Sequence, residues 1–446
     1  MNDPSGARPY FATMRYQHLA LVGVLGLAVL ASCKKDEEKR APQVTIIAPA
    51  NGSDLSVPDT LRVSADVSGD DGVDRVVVSL SNTNGIPVVP PVTVIPSSNP
   101  ARIEVELPLT SDAIATGDYT LEVKALAGEA SGKDFRMVQL QSTPLRLRQV
   151  VVITRPDANT IAIHRIDSTG ALGLANTVIM DLGGAIVSSA AQVIGIMGTV
   201  QGPLIAFAPD GQQVRWQKPN LGNSGIAWFT SIDMAADGLI YVGTTDGGLR
   251  GYSGATGSTA AVINLTTGYR SERTARVNDK VVVAEVDVTG SIHRLAVHLA
   301  SSGVQVGDQL LDKSVVALHP RDDAHVLLFG NRGGQGVVED RNIVGGGGWE
   351  PYAWPSPITA AERVDANTFL VALADGQLER FTYSNAASLT IATVPDIRDL
   401  HLEPISGLVY VAAGTQVLTI NAQTGVIGTS WSIGSPVEYA MPLLNR

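Results

Sequence analysis

One sentence of sequence, written twice, constrains this chain more than any other feature. Asp237-Gly-Leu-Ile-Tyr-Val-Gly-Thr leads into Leu249-Arg-Gly-Tyr-Ser-Gly-Ala-Thr-Gly257. Near the C-terminus, Gly407-Leu-Val-Tyr-Val-Ala-Ala leads through Gln416-Val-Leu-Thr-Ile-Asn into Gln423-Thr-Gly425 and on to Trp431. Each copy reads as short strands joined by tight turns. Such a sheet is too small to bury its own faces, so copies must pack on one another.

Second strands of the repeat begin near Val150, Val193, Leu239, Val281, His325, Phe369 and Leu408. That spacing of about 43 residues is the period of propeller blades. Third strands follow, among them Thr160-Ile-Ala-Ile-His-Arg, Leu204-Ile-Ala-Phe-Ala, Ile292-His-Arg-Leu-Ala-Val and Leu378-Glu-Arg-Phe-Thr-Tyr. The first copy opens at its second strand, and the chain ends with a spare one, Val437–Leu444. A C-terminal strand that completes the first blade closes a ring and removes its free edges. The expectation is an all-β propeller over residues 149–446 with seven blades, six and eight being the neighbouring counts.

Composition agrees with a turn-rich β protein: of 446 residues, 45 are Gly, 24 are Pro and only 17% are charged. The net charge of −11 argues against nucleic acid as a partner. A single cysteine excludes an internal disulfide framework and thiolate zinc clusters.

That cysteine closes an apolar run from Leu19 to Ser32, with basic residues before it. The run is short for a membrane span and suits a signal peptide. Leu30-Ala-Ser-Cys33 resembles the lipobox of bacterial lipoproteins. The resemblance implies cleavage after residue 32, lipidation of Cys33 and a membrane anchor. Residues 33–41 then form a charged tether, and Lys35-Asp-Glu-Glu38 within it resembles the export signal of surface lipoproteins of the Bacteroidota. An outer-membrane lipoprotein displayed at the cell surface is expected, a periplasm-facing one being the alternative. Asp3 and Pro4 suit a leader poorly, so translation is expected to begin at Met14 and not Met1.

Between the tether and the repeats, residues 42–142 alternate in strand period: Leu61-Arg-Val-Ser-Ala-Asp-Val, Val76-Val-Val-Ser-Leu, Ile103-Glu-Val-Glu-Leu, Tyr119-Thr-Leu-Glu-Val-Lys-Ala. Turns such as Asn51-Gly and Gly69-Asp-Asp-Gly72 separate them. This describes an immunoglobulin-like β-sandwich, with 143–148 as the linker to the propeller. Gly117-Asp-Tyr119 resembles a tyrosine corner. Asp70, Asp71 and Asp74 lack the spacing of a calcium loop and read as a solvated turn.

Phe207-Ala-Pro-Asp-Gly-Gln-Gln-Val-Arg-Trp216 and Ile420-Asn-Ala-Gln-Thr-Gly-Val-Ile-Gly-Thr-Ser-Trp431 resemble repeats of quinoprotein-like and WD40-like propellers. The resemblance implies the fold. It does not supply the quinone site of the enzymes in that superfamily, and no cofactor or metal is assigned.

Two sets of residues are candidates for binding. Trp349-Glu-Pro-Tyr352-Ala-Trp354 is the densest aromatic cluster, and exposed aromatic faces stack on sugar rings. Its place in the outer strand of the fifth repeat, matching Trp216 and Trp431, favours packing. Aligned by their turns, the innermost strands direct Asp233, Arg276, Arg363, Asp399, His401 and Glu438 at the axis. Mixed charges there can bind a polar ligand, supply an acid/base pair, or simply pair with one another. No catalytic motif is present; there is no His-Glu-x-x-His, phosphate loop or Gly-x-Ser-x-Gly elbow. The sequence therefore reads as a non-catalytic, lipid-anchored envelope protein whose propeller binds protein or glycan. The alternative is a propeller enzyme acting on polysaccharide, or a quinone-dependent dehydrogenase.

Overall fold

The computed structural model describes residues 40–223 and 225–446. Met14, the apolar run and Cys33 lie outside the described residues, as does most of the tether. Two compact units divide between Thr143 and Pro144. Almost all of the regular structure is β.

The first unit is a two-sheet sandwich. Gln43–Ala48, Asp59–Ser68 and Ala101–Leu109 form a three-stranded sheet. Ser53–Ser56, Ala130–Gln141, Gly117–Ala127, Arg75–Ser81 and Val92–Val94 form a five-stranded one, in that order. Strand alternation decides the core: Leu61, Val63, Ala65 and Val67 face Val76, Val78, Leu80, Leu121 and Val123, all buried. The Tyr119 hydroxyl donates to the Ala115 carbonyl at 2.8 Å, the bond that makes a tyrosine corner. In the aspartate-rich turn, Asp74 accepts from the Gly128 backbone N–H at 2.6 Å. No cluster of metal-ligating side chains occurs among the described residues.

The second unit, Pro144–Arg446, consists of seven four-stranded antiparallel sheets. The innermost strands are Val437–Leu444, Gly184–Ser188, Phe229–Met234, Tyr269–Val277, Ser314–Pro320, Ile358–Arg363 and Ile397–Glu403. Each lies against the next, and Val437–Leu444 lies against both Ile397–Glu403 and Gly184–Ser188. The ring is therefore closed: a β-propeller. Its C-terminal strand pairs antiparallel with Leu147–Asp157, so the first sheet is built from both ends of the unit.

Sheets stacked face to face cover their inner strands on both sides. That is why the second strands read as unbroken apolar runs where the sandwich strands alternate. All of Val193–Met197 is buried, as are Phe369–Leu373 and Val409–Ala413. Outer strands such as Leu172–Ile179 and Ile427–Ser432 stay exposed along much of their length. Their tryptophans pin neighbouring sheets together. The indole N–H of Trp216 donates to Gly254 O at 2.7 Å, that of Trp431 to Gly170 O at 2.9 Å, and that of Trp354 to Ser388 Oγ at 3.1 Å.

The Thr-Gly turns have a packing reason as well as a conformational one. Gly425 has a φ of +73°, and a Cβ there would sit 2.1 Å from the Ile391 carbonyl oxygen of the preceding sheet. Gly257 likewise lies on the ring of Trp216. The repeat keeps glycine where one sheet's turn meets the previous sheet's outer strand. Gly425→Ala is expected to cost at least the roughly 1–3 kcal/mol of a non-glycine residue forced into this region. A matching fall in the thermal unfolding midpoint would show it.

Candidate functional site

Six of the seven innermost strands carry a β-bulge at the same place. Pairing with the second strand skips Thr230, Glu272, Val316, Thr359, Arg398 and Glu438 in turn. Gly184–Ser188 pairs without a shift. A bulge bends the strand, and the residue count around it changes which side chains face the axis. Counted from the bulge, the first residues are Ser231, Arg273, Ala317, Ala360, Asp399 and Tyr439. The third are Asp233, Ala275, His319, Glu362, His401 and Met441. Chemistry-bearing side chains of these two registers line a cavity of about 560 Å³ on the axis.

Of the residues expected at the axis, Asp233, Arg276, Asp399, His401 and Glu438 line this cavity. Arg363 is not among the lining residues; its guanidinium donates to the carbonyls of Pro320 at 2.8 Å and Asp365 at 2.9 Å. Turn-based alignment placed this strand one residue out of step, and Glu362 holds the axial position instead. Arg273, His319 and Tyr439 also line the cavity and were not picked out in the sequence. A usable signal exists. Phe229, Val315, Ile358, Ile397 and Val437 are buried residues just before the bulge, and counting from them brings the acids and histidines into line.

The geometry is asymmetric. His401 Nε2 lies 2.8 Å from Asp399 Oδ2. Glu362 Oε1 accepts from the Leu402 N–H at 3.1 Å, and Asp233 Oδ2 from the Thr274 N–H at 2.9 Å. His319 Nε2 lies 3.3 Å from the Ala361 carbonyl. Arg273 is locked by its own hydrogen bonds to the carbonyls of Val316 at 2.7 Å and Glu272 at 2.9 Å. Arg276 lies 3.7 Å from Asp237, and Glu438 pairs with Arg398 at 2.9 Å and Arg155 at 3.2 Å.

Removal from water sets the protonation of the central groups. Burial raises Asp233 to about 6, against the pull of Arg273. Glu362 rises to about 7 because burial outweighs the attraction of His401. Burial pushes the His401 imidazole down, but Asp399 and Glu362 overcome it and hold the ring up at about 9. His319 falls to about 4, chiefly through burial and despite its bond to the Ala361 carbonyl. Burial lifts the Tyr439 phenol to about 12. A carboxyl group near 7 beside an imidazolium near 9 can exchange a proton with a bound molecule at neutral pH.

These shifts have a signed consequence for stability. The raised Glu362 contributes stability that is full below its unfolded value of about 4.3 and is lost as pH rises through about 7. His401 contributes stability full below about 6.5 and lost as pH rises through about 9. Glu362→Gln is therefore expected to leave the unfolding midpoint nearly unchanged at pH 4 and to raise it at pH 8. Thermal denaturation at the two pH values checks the sign.

The aromatic candidates separate. Trp354 is buried and Tyr352 packs 5.9 Å from Phe381, whereas Trp349 is 52% exposed beside Tyr383.

Residues 42–123 match the bacterial Ig domain family. This match covers the sandwich unit and stops before the propeller. No match was found among the curated proteins. Among solved structures, the chain is similar to the WD40 β-propeller domain of Doa1, with 12% identity and a TM-score of 0.46 over 59% of this chain and 86% of that one. It is also similar to BamB from Moraxella catarrhalis, with 16% identity and a TM-score of 0.38 over 56% and 77% of the two chains. The propeller assignment rests on the closed ring of sheets.

Proposed function

We propose that this chain is a lipid-anchored protein of the bacterial cell envelope whose propeller binds a polar group of a glycan or protein partner and leaves it unchanged. The axial cavity of about 560 Å³ carries this reading, because it gathers carboxyl, imidazole, guanidinium and phenol groups in one place on the axis. Cys33 after a small-residue run supports the anchor, and the bacterial Ig domain supports an extracytoplasmic setting in which the sandwich serves as a spacer along the chain.

One observation favours a second reading, a propeller enzyme. Glu362 is raised to about 7 and His401 to about 9 within one cavity, so both can hold a proton near neutral pH, as an acid/base pair would.

The test is capture followed by analysis. Full-length protein, His401→Gln and Asp399→Asn are incubated with glycan and peptide libraries, and retained and released compounds are compared by mass. Retention of an unchanged compound by the wild type and its loss in both variants is the expected result. Conversion of the retained compound favours the enzyme reading, and retention unaffected by either variant overturns the axial site.

A further inference from the structure

Side chains on the inner strands cap the backbone edges of their neighbours around part of the ring. Asp233 accepts from the Thr274 N–H of the next strand at 2.9 Å, and Arg273 donates to the Val316 carbonyl of the one after at 2.7 Å. His319 Nε2 lies 3.3 Å from the Ala361 carbonyl, and Glu362 accepts from the Leu402 N–H at 3.1 Å. Among the described residues no such bond reaches Gly184–Ser188 or Phe229–Met234 from a neighbouring inner strand. Alternate N–H and C=O groups of a strand point away from its partner. Two adjacent strands therefore leave open backbone edges on the axial cavity that they line.

Two donors flank those edges. Tyr439, on the strand before Gly184–Ser188, lines the cavity, and its hydroxyl makes no hydrogen bond to the described residues. Arg273, on the strand after Phe229–Met234, gives two of its five N–H donors to carbonyls and keeps the rest. It is also the one charged cation lining the cavity that has no carboxylate in ion-pair reach among the described residues. Arg276 has Asp237, Arg398 has Glu438 and His401 has Asp399, while His319 is neutral.

From this arrangement we propose that the axial cavity receives the carboxy-terminal end of a peptide, its carboxylate on Arg273 and Tyr439 and its last amides on the open edges between them. The inference rests on the axial reading above and names the kind of partner. A peptide backbone repeats the alternating N–H and C=O groups of an open strand edge, and a sugar ring carries no such repeat. A guanidinium already fixed by carbonyls offers a carboxylate its remaining donors without further ordering.

Charge gives the site a pH dependence. Facing Asp233 are Arg273 and Arg276 on one neighbouring strand, no titratable group on Gly184–Ser188, and Tyr241 on the second strand of its own sheet. Across the cavity stand Asp399, Glu438 and Tyr439, with Asp399 and Glu438 each held by a cation of its own. With Asp233 near 6 and Glu362 near 7, both carboxyls are largely neutral at pH 5.5, and Arg273 stands uncompensated. At pH 8 both are ionised and oppose an anion.

The full chain is titrated by calorimetry at pH 5.5 and pH 8 with acetylated tripeptides ending in alanine, leucine or phenylalanine. Their carboxamides, acetate and a tetrasaccharide ending in glucuronate serve as counterparts. At least one free-acid tripeptide is expected to bind, about tenfold more tightly than its carboxamide or acetate. Its affinity should fall about tenfold from pH 5.5 to pH 8. Arg273→Gln should erase the preference for acid over carboxamide. Asp233→Asn, whose side chain can still accept from Thr274, should flatten the pH profile and keep that preference, which decides the matter if the first variant does not fold. No binding of any free acid, equal binding of its carboxamide, binding that tightens toward pH 8, or tighter binding of acetate or the glucuronate sugar would each overturn the inference. Where the free acids fail but an uncharged library compound is captured by the wild type and lost in His401→Gln, only this inference falls. Where nothing is captured, the axial reading falls with it.

Discussion

Truncation before Val437 is expected to abolish folding of the propeller. That strand supplies the innermost position of the first sheet, and its Val437, Ala440, Met441 and Leu443 are fully buried. Burying each of the three larger side chains is worth about 1.5–3 kcal/mol, so their loss alone removes roughly 5–9 kcal/mol. That is comparable with the whole stability of a typical domain, about 5–15 kcal/mol. The damage does not stop at the missing side chains. Ile397–Glu403 and Gly184–Ser188 lose their shared neighbour, and Leu147–Asp157 becomes an exposed edge carrying an apolar run. Soluble yield and far-ultraviolet circular dichroism of the truncated chain measure the outcome. A cooperative transition at the wild-type temperature would show that the ring does not depend on this closure.

Phe369→Ala is the next largest effect expected, about 3–5 kcal/mol, from lost burial and the cavity left behind. Phe369 is 1% exposed and lies 5.2 Å from the ring of Phe329. It also lies 5.6 Å from His319, which lines the axial cavity. The substitution should therefore lower the unfolding midpoint and also loosen one wall of the axial site. Phe369→Leu, which keeps most of the volume, should recover most of the stability. If it recovers stability without restoring axial binding, packing against His319 is the lost element.

Much of this fold is written locally, and particular residues show why. The glycines of the Thr-Gly turns mark where turns with positive φ end the third strands, and Gly425 and Gly257 are required there by close approach as well. The unbroken apolar runs mark second strands because both faces of those strands are covered. Tyr119 marks the corner of the sandwich. Trp216, Trp354 and Trp431 recur in outer strands because each reaches the neighbouring sheet. These signals depend on residues a few positions apart, or on a demand repeated in every sheet.

The axial site depends on something else. Asp399 and His401 are two apart on one strand, and any alignment that found one found the other. An alignment drawn from the turns takes Arg363 in place of Glu362, because the register that faces the axis is set at the bulge at Thr359, and a period of two turns an error of one into the opposite face. Arg273 escapes the same alignment, the bulge of its own strand lying at Glu272. A bulge is defined by pairing with a second strand, so it exists only once the sheet has formed. The sequence by itself determined the strands, their turns and their order around the ring. Tertiary structure decided which acids and bases meet at the axis, because that depends on register, and register is a property of two strands and not of one.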